Sequence, residues 1–188
     1  QSTDKVSIDA KVAEDTGDTL FVTPSVACRV IGVGDAGCNI VLAAWSSRLL
    51  PVAHCRTEFS CVSMARRSIR AVIKANRLHP GIAPIRPVQL GRYGAGGNVN
   101  VARAAAKKHD GTLRSLVDGA EIVILTAGLG GGTGSAVGAT LARMAMEAGA
   151  LVLGVIVTPF KWELGRYPNA FAAVKALEEN SHYLVSLP

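Results

Sequence analysis

Two hydrophobic patterns alternate along most of the chain. Short, nearly continuous apolar runs are typical of buried strands, and each run except the last is followed by a segment whose apolar residues recur every three or four positions, as on one face of a helix. The strand-like runs are residues 27–33, 58–63, 88–90, 121–127, 151–158 and 182–187. The helix-like segments are residues 39–48, 65–76, 99–108, 135–147 and 169–180.

This alternation predicts a series of βαβ units. Right-handed crossovers place consecutive strands side by side in a parallel sheet with helices on both faces. The apolar runs at 122–125 and 151–157 fit central strands buried on both sides. We therefore expect residues 26–188 to form one α/β domain, a three-layer Rossmann-like fold with a mostly parallel sheet. Residues 1–25 are polar and have no sustained period, so we expect a flexible N-terminal arm there.

The composition is that of a globular protein. Of the 188 residues, 49% are hydrophobic, enough to build a real core. The longest apolar run, residues 148–157, is too short to cross a bilayer, so we expect no transmembrane segment. The polar start lacks the segments of a signal peptide. These features favour a cytoplasmic location.

The cysteines and histidines do not suggest a reactive centre. Cys28, Cys38, Cys55 and Cys61 include no Cys-x-x-Cys pair and are interpreted as core thiols in a reducing compartment. The four histidines have neither the spacing of a zinc site nor a partner for a catalytic triad. The sequence thus predicts no catalytic side chain and no metal ligand.

Charge is distributed unevenly. Residues 66–114 contain eleven Lys and Arg residues and one acid, Asp110. Such a stretch predicts a basic surface able to contact an acidic protein partner, an anionic lipid or a nucleic acid. A set of solvated helix faces with no partner explains the same pattern equally well.

The first glycine-rich turn is Gly-x-Gly-x-x-Gly at residues 32–37, between a predicted strand and a predicted helix. In that position backbone N–H groups and the positive end of the helix can receive an anion such as a phosphate. A plain tight turn and a dinucleotide-binding loop have the same pattern. This turn alone leaves the three interpretations open.

The second glycine-rich turn, residues 127–135, is more specific. It has five glycines in seven residues, each costing about 0.5–1 kcal/mol relative to alanine, so connection alone is a poor reason for them. Bare backbone lets many N–H donors converge on one polyanion, and the hydroxyls of Thr133 and Ser135 add donors at the helix start. The turn contains no lysine, so it is not a P-loop. A third turn, residues 94–98, taken alone predicts a simple turn, but beside the other two it favours a shared phosphate cradle.

The run Gly-Gly-Gly-Thr-Gly-Ser at residues 130–135 resembles the signature of the tubulin/FtsZ family of filament-forming proteins. The order of the three turns, together with Thr158-Pro159-Phe160 and Glu163 after the next strand, resembles the FtsZ branch of that family. The similarity runs from about Cys28 to Pro188.

This resemblance implies that GTP or GDP binds at the carboxyl ends of the strands. Asn39 would face the guanine, Glu163 the ribose, and Gly132, Thr133 and Gly134 the phosphates. The implied nucleotide-binding residues are Gly34, Asp35, Ala36, Gly37, Cys38, Asn39, Gly94, Ala95, Gly96, Gly97, Asn98, Gly128, Gly130, Gly131, Gly132, Thr133, Gly134, Ser135, Thr158, Pro159, Glu163 and Arg166. The family assembles head to tail and hydrolyses GTP when a neighbour's acidic loop meets the nucleotide. The implied partner is therefore an FtsZ-like protein, or a homologue of this chain, docked on the nucleotide face.

The sequence also departs from the family pattern. Ser63-Met64-Ala65 stand where the family typically has Asn-Thr-Asp, which removes groups that reach the terminal phosphate and alters the expected environment of magnesium. Asp35 replaces a glycine, and its carboxylate is expected to repel phosphate or, as a helix cap, to occupy the anion site. Because the sequence stops at Pro188, before the family's second domain with its acidic loop, we expect the chain not to hydrolyse GTP alone.

Three functional hypotheses are compatible with these observations. The first is a guanine-nucleotide-binding protein of FtsZ type, associated with filament assembly or cell division. The second is a nucleotide-independent interaction module of the same fold that uses the basic stretch. The third, an NAD-binding domain, requires an acid after the second strand to bind the ribose, and Ser63-Met64-Ala65 contains none.

Overall fold

The computed structural model describes residues 26–48 and 55–187, and the predicted N-terminal arm lies outside them. The strands are β1 (Val26–Val33), β2 (Cys55–Ser63), β3 (Arg86–Gln89), β4 (Ile122–Gly128), β5 (Leu151–Val157) and β6 (Tyr183–Leu187). The helices are α1 (Gly34–Ser46), α2 (Arg66–Leu78), α3 (Val99–Lys108), α4 (Asp110–Val117), α5 (Gly132–Glu147) and α6 (Tyr167–Glu178). A short 3₁₀ turn, Leu164–Arg166, leads into α6.

The strands form one parallel sheet in the order β3-β2-β1-β4-β5-β6. On one face, α1 and α2 enclose a core that includes Val30, Trp45 and Phe59. On the other face, α3 to α6 enclose a larger core that includes Ile31 and Leu141. The predicted three-layer parallel fold is confirmed.

The topology determines where a ligand crevice opens. From β1 the chain moves outward to β2 and β3, and then returns to place β4 on the opposite side of β1. Helices therefore leave β1 and β4 on opposite faces of the sheet. Open α/β sheets bind ligands at such a switch point, outside the carboxyl ends of the strands.

Three helices begin earlier than predicted, and one was not predicted. The prediction began α1, α5 and α6 at residues 39, 135 and 169, but they begin at Gly34, Gly132 and Tyr167. Glycine has a low helix propensity, yet it is required at the first two of these helix starts, because Gly34 has a positive φ and a Cβ atom on Gly132 would lie 2.6 Å from that of Ala95. Helix α4 was not predicted, because its first two residues, Asp110 and Gly111, have low helix propensity. The helix buries Leu113, Leu116 and Val117.

The basic stretch at residues 66–114 does not form the single surface predicted from the sequence. Five of its cations lie on α2, on one face of the sheet, whereas α3 and α4 carry four others on the opposite face. A contiguous charge run need not be contiguous in space, since the chain crosses the sheet between α2 and α3. None of the described helices combines the length and apolar character needed to cross a membrane.

Candidate functional site

An open trough of about 1130 Å³ crosses the carboxyl edge of the sheet at the switch point. All three predicted glycine turns contribute to its wall, and so does the segment after β5. Of the predicted site residues, the lining includes Gly34, Asp35, Ala36, Gly94, Ala95, Gly96, Gly97, Gly128, Gly130, Gly131, Gly132, Thr133, Gly134, Thr158, Pro159, Glu163 and Arg166.

Two helix N-termini meet in the middle of this trough. The backbone of α1 approaches that of α5 so closely that a Cβ atom on Gly34 would lie 3.2 Å from the amide nitrogen of Gly134. The first N–H groups of a helix have no intrahelical acceptor, and no side chain caps either helix start. Free donors and the positive ends of two helix dipoles therefore converge on one place, an arrangement that favours a bound anion.

The glycines of the second turn have different structural reasons. A Cβ atom on Gly134 would lie 2.1 Å from the carbonyl oxygen of Gly128, so close packing excludes any side chain there. Gly130 has a φ of +86°, and a Cβ on it would lie 2.7 Å from Arg166. A Cβ atom on Gly131 would have no neighbour within 4 Å, so this glycine simply leaves the trough open. Packing and access to backbone both require glycine in this turn.

Five predicted site residues lie outside the trough wall. Gly37 packs against β4, where a Cβ atom would lie 2.2 Å from the carbonyl oxygen of Thr126. Asn39 is exposed on α1 but does not line the trough. Asn98 caps α3, because its Oδ1 accepts hydrogen bonds from the amides of Asn100 and Val101. The start of α3 is therefore already satisfied.

Ser135 and Cys38 have internal partners. The hydroxyl oxygen of Ser135 accepts a hydrogen bond from the amide of Gly130 at 3.0 Å, which stabilises the turn. Cys38 is fully buried and its thiol contacts the carbonyl oxygens of Gly32 and Val62. Hydrogen bonding with Cys38, together with burial, raises the pKa of the neighbouring Cys61 thiol. Cys28, Cys38 and Cys61 are buried as the sequence predicts, whereas Cys55, at the start of β2, is only partly buried.

Asp35 is not the helix cap that the sequence suggests. Its Oδ2 accepts hydrogen bonds from Nε and Nη2 of Arg67, at 3.1 and 2.5 Å, and its Oδ1 accepts from the hydroxyls of Ser68 and Ser63, at 2.5 and 3.4 Å. Burial acts to raise the pKa of Asp35, but the hydrogen bonds from Ser68 and Arg67 and the Arg67 charge outweigh it and lower the pKa. The carboxylate is thus compensated, and the simple repulsion expected from the sequence does not apply.

A second ion pair lies at the β5 end of the trough. Glu163 Oε1 is 3.0 Å from Nη1 of Arg166, and its Oε2 accepts a hydrogen bond from the amide of Phe160 at 3.0 Å. The trough is therefore bounded at each end by a carboxylate and an arginine. Its middle is formed by bare backbone.

Several wall residues were not predicted from the sequence: Ala65, Arg67, Leu129, Val157, Phe160, Trp162, Gly165 and Asn169. Asn169 donates hydrogen bonds to the carbonyl oxygens of Gly97 and Gly130, at 2.8 and 3.4 Å, and so ties two glycine turns together. The rings of Phe160 and Trp162 stack with centroids 4.6 Å apart. No local motif marks Arg67 or Asn169, because only the packing of separate helices brings them to the trough.

The described residues do not fit a magnesium ion held by the protein. Mg²⁺ in phosphate sites usually takes one or two protein carboxylates together with phosphate oxygens and waters. The carboxylates of the described trough wall, Asp35 and Glu163, are each paired with an arginine. No group of three potential His, Cys, Asp or Glu ligands occurs in the described parts of the chain.

The fold and the trough define a class: α/β proteins that bind an anionic ligand between glycine turns at the carboxyl edge of a parallel sheet. The sequence model of the "Tubulin/FtsZ family, GTPase domain" matches residues 27–188. The chain belongs to the tubulin/FtsZ family.

Individual relatives agree with this assignment. The chain is 32% identical over 161 residues to "Cell division protein FtsZ 1" of Pyrococcus horikoshii. The aligned region covers 85% of this chain and 41% of that protein. It is 30% identical over 167 residues to "Cell division protein FtsZ" of Neisseria gonorrhoeae, with 89% and 40% covered. The chain thus spans about two-fifths of the length of these relatives.

Solved structures show the same fold. An empty FtsZ dimer of M. jannaschii superposes with a TM-score of 0.72 at 24% identity, covering 87% of this chain and 45% of that one. The GTPγS-bound protofilament of CetZ2 from Haloferax volcanii superposes with a TM-score of 0.69 at 20% identity, covering 86% and 49%.

Proposed function

We propose that this chain binds guanine nucleotide and takes part in the assembly of FtsZ-like filaments, in cell division or a related cytoskeletal process in the cytoplasm. The observation that carries the proposal is the meeting of two uncapped helix starts, α1 and α5, in one glycine-lined trough. The phosphates would lie over these helix starts. The ribose hydroxyls would lie at Glu163, the carboxylate at the β5 end.

Nucleotide analysis of the purified protein tests this proposal. The protein is denatured and the released nucleotides are separated by chromatography, and the nucleotide-free protein is then titrated with GDP, GTP and, as a control, ATP. We expect guanine nucleotide in the released fraction, or saturable binding of GDP and GTP with weaker binding of ATP. Trp162 lies in the trough wall, so its fluorescence provides a second signal. Absence of both released nucleotide and binding contradicts the proposal.

The proposed partner is an FtsZ-like protein, or a homologue of this chain, that docks on the trough face. Exposed apolar groups on the trough rim support this choice: Phe160, Trp162 and Leu164 are all exposed. Large exposed apolar residues clustered beside a cleft are typical of interaction sites. In the described wall neither carboxylate is free to orient a water, so the partner would have to supply that group for GTP hydrolysis.

A second candidate function is nucleotide-independent binding through α2. Arg66, Arg70, Lys74 and Arg77 are exposed and, at 3.6 residues per turn, lie within roughly a quarter turn of the helix surface. No acid pairs with any of them among the described residues. Such a stripe suits an acidic protein tail, an anionic lipid or a nucleic acid.

Salt dependence separates this candidate from the first. Binding to DNA or to vesicles containing phosphatidylserine should fall steeply between low and physiological salt. It should also fall in an Arg70→Gln/Lys74→Gln variant, while GDP affinity stays unchanged. Binding that does not respond to salt contradicts an electrostatic role for α2.

A further inference from the structure

The Asp35–Arg67 pair is a fixed link between two segments that are far apart in sequence. Asp35 lies in the first turn of α1, and Arg67 lies in the first turn of α2. Two guanidinium nitrogens contact the same carboxylate oxygen, and two serine hydroxyls hold the other oxygen. These contacts hold the guanidinium of Arg67 beside the start of α1.

The link leaves part of the guanidinium available. Arginine presents five N–H donors in a planar fork that matches carboxylate and phosphate oxygens. Asp35 accepts from Nε and Nη2 only, and no acceptor contacts Nη1 among the described residues. The Arg67 side chain is 83% exposed and lines the trough. A second anion can therefore approach the free side of the fork.

The position of Arg67 follows from the strand order. The proposed function, on which this inference rests, places the ribose at the β5 end and the phosphates over the helix starts that follow β4 and β1. The next strand in that direction is β2, and Arg67 lies just after it. A third phosphate would extend farther along this line than a second, toward the β2 end and Arg67.

We propose that Arg67, positioned by Asp35, binds the terminal phosphate of a nucleoside triphosphate and supplies there the positive charge that a divalent metal would otherwise supply. This role agrees with the pairing of Asp35 with Arg67, which leaves that carboxylate unavailable as a magnesium ligand. The chain should therefore prefer triphosphate to diphosphate in the absence of a divalent metal. In this scheme Asp35 is a positioning residue and Arg67 the ligand.

Calorimetric titration with GTPγS and with GDP, each in excess EDTA and in excess Mg²⁺, tests the proposal. For the natural protein we expect GTPγS to bind at least about tenfold more tightly than GDP in EDTA, the worth of one charged hydrogen-bonded contact. Arg67→Gln should bring this ratio close to one, and it should also weaken GDP binding, because the Asp35 carboxylate is then no longer compensated. Arg66→Gln is the matched control: it removes the same charge from the adjacent residue, outside the trough wall, and should keep the ratio.

Two further variants test the positioning role. Arg67→Lys keeps the charge without the planar fork and should give an intermediate ratio. Asp35→Asn should also lower the ratio of GTPγS to GDP affinity, because the Arg67 guanidinium is then no longer held in place. Loss of the Asp35 charge by itself would have the opposite effect, so a lower ratio indicates that Asp35 positions Arg67. The inference is overturned if Arg67→Gln leaves the affinity ratio unchanged, or if the natural protein prefers GTPγS to GDP only with Mg²⁺. Either result leaves the proposed function standing. Failure of the natural protein to bind either nucleotide overturns the proposed function, and this inference with it.

Discussion

At the scale of single residues, the three turns show that glycine is used for two unrelated reasons. Gly134 has no space for a side chain, because the carbonyl oxygen of Gly128 occupies it. Gly131 has the space, but a side chain there would enter the trough. Sequence composition does not distinguish these reasons, whereas substitution by alanine does.

Gly131→Ala and Gly134→Ala should therefore have different effects. Gly131→Ala should change the free energy of unfolding by less than about 1 kcal/mol, because alanine restricts the unfolded chain but is a poorer N-cap of α5 than glycine. It should weaken GDP binding by about tenfold, because the methyl group obstructs backbone donors. Gly134→Ala should lower the free energy of unfolding by about 1–3 kcal/mol through overpacking. Urea denaturation and calorimetry measure both, and equal stability of the two variants would contradict this division.

The Asp35 carboxylate should make stability depend on pH. Its pKa is lower in the folded protein than in the unfolded chain, so the ionised form stabilises the fold above the unfolded value of about 4. That stabilisation is lost as the pH falls through the lower folded value. Asp35→Asn should thus be less stable than the natural protein at pH 7, and the difference should shrink below about pH 4.

Urea midpoints at pH 7, 5 and 3 test this expectation. Asp118→Asn, at an exposed carboxylate after α4, is the control for a general effect of losing one negative charge. A stability difference between Asp35→Asn and the natural protein that stays constant down to pH 3 would show that the link is not ionic.

At the scale of elements, helices that follow similar glycine turns are not equivalent. The starts of α1 and α5 are uncapped, whereas Asn98 caps α3 with its own side chain. The third turn therefore contributes Gly94 to Gly97 to the trough wall, but not a free helix start. The uncapped helix starts at the trough are those of α1 and α5.

Removal of the α3 cap should affect stability. Asn98→Ala should lower the free energy of unfolding by about 1 kcal/mol, the usual worth of an N-cap. Asn98→Asp retains an acceptor oxygen and should restore most of the loss. Denaturant midpoints measured on both variants decide the matter. If the alanine variant is as stable as the aspartate variant, the two hydrogen bonds of Asn98 do not stabilise the helix.

At the scale of the whole molecule, the trough face combines a ligand cleft with an exposed apolar rim. The rim residues Phe160 and Trp162 lie on the segment that follows β5, directly beside the cleft. A partner docked there would cover the ligand and these rings together. Nucleotide binding and assembly would then be coupled through one surface.

Mixing experiments test that coupling. The purified chain should show no GTP turnover by itself, and in excess it should lower the polymer mass that a full-length FtsZ homologue forms in sedimentation. Trp162→Ala should abolish the effect on polymer mass, whereas Leu78→Ala, at an exposed apolar residue at the end of α2, should not. Robust turnover by the isolated chain would disprove the need for a partner. Unchanged polymer mass would disprove docking.

Much of this architecture follows from the sequence alone. The alternating apolar periods predict the order of five helices and six strands, because buried strands and amphipathic helices need different spacings of apolar residues. The glycine turn at residues 127–135 predicts an anion site, and the structure places this turn in the trough wall, although close packing accounts for part of its glycine content. Helix boundaries were less predictable. Glycine at the start of α5 and the Asp110-Gly111 pair at the start of α4 have low helix propensity, but tertiary packing makes these residues helical.

Only the tertiary structure decides which groups meet at the trough. In the sequence, Asp35 is an acid in a glycine-rich turn with no basic residue nearby, and Arg67 is one of several cations in a basic stretch. The sheet brings the ends of β1 and β2 together, and the two residues then form one ion pair across 32 positions of sequence. The same crossing of the sheet divides the basic stretch between two faces. Periodicity and turn chemistry are local properties that a sequence displays directly, but charge compensation depends on distances in space, which only the packed fold determines.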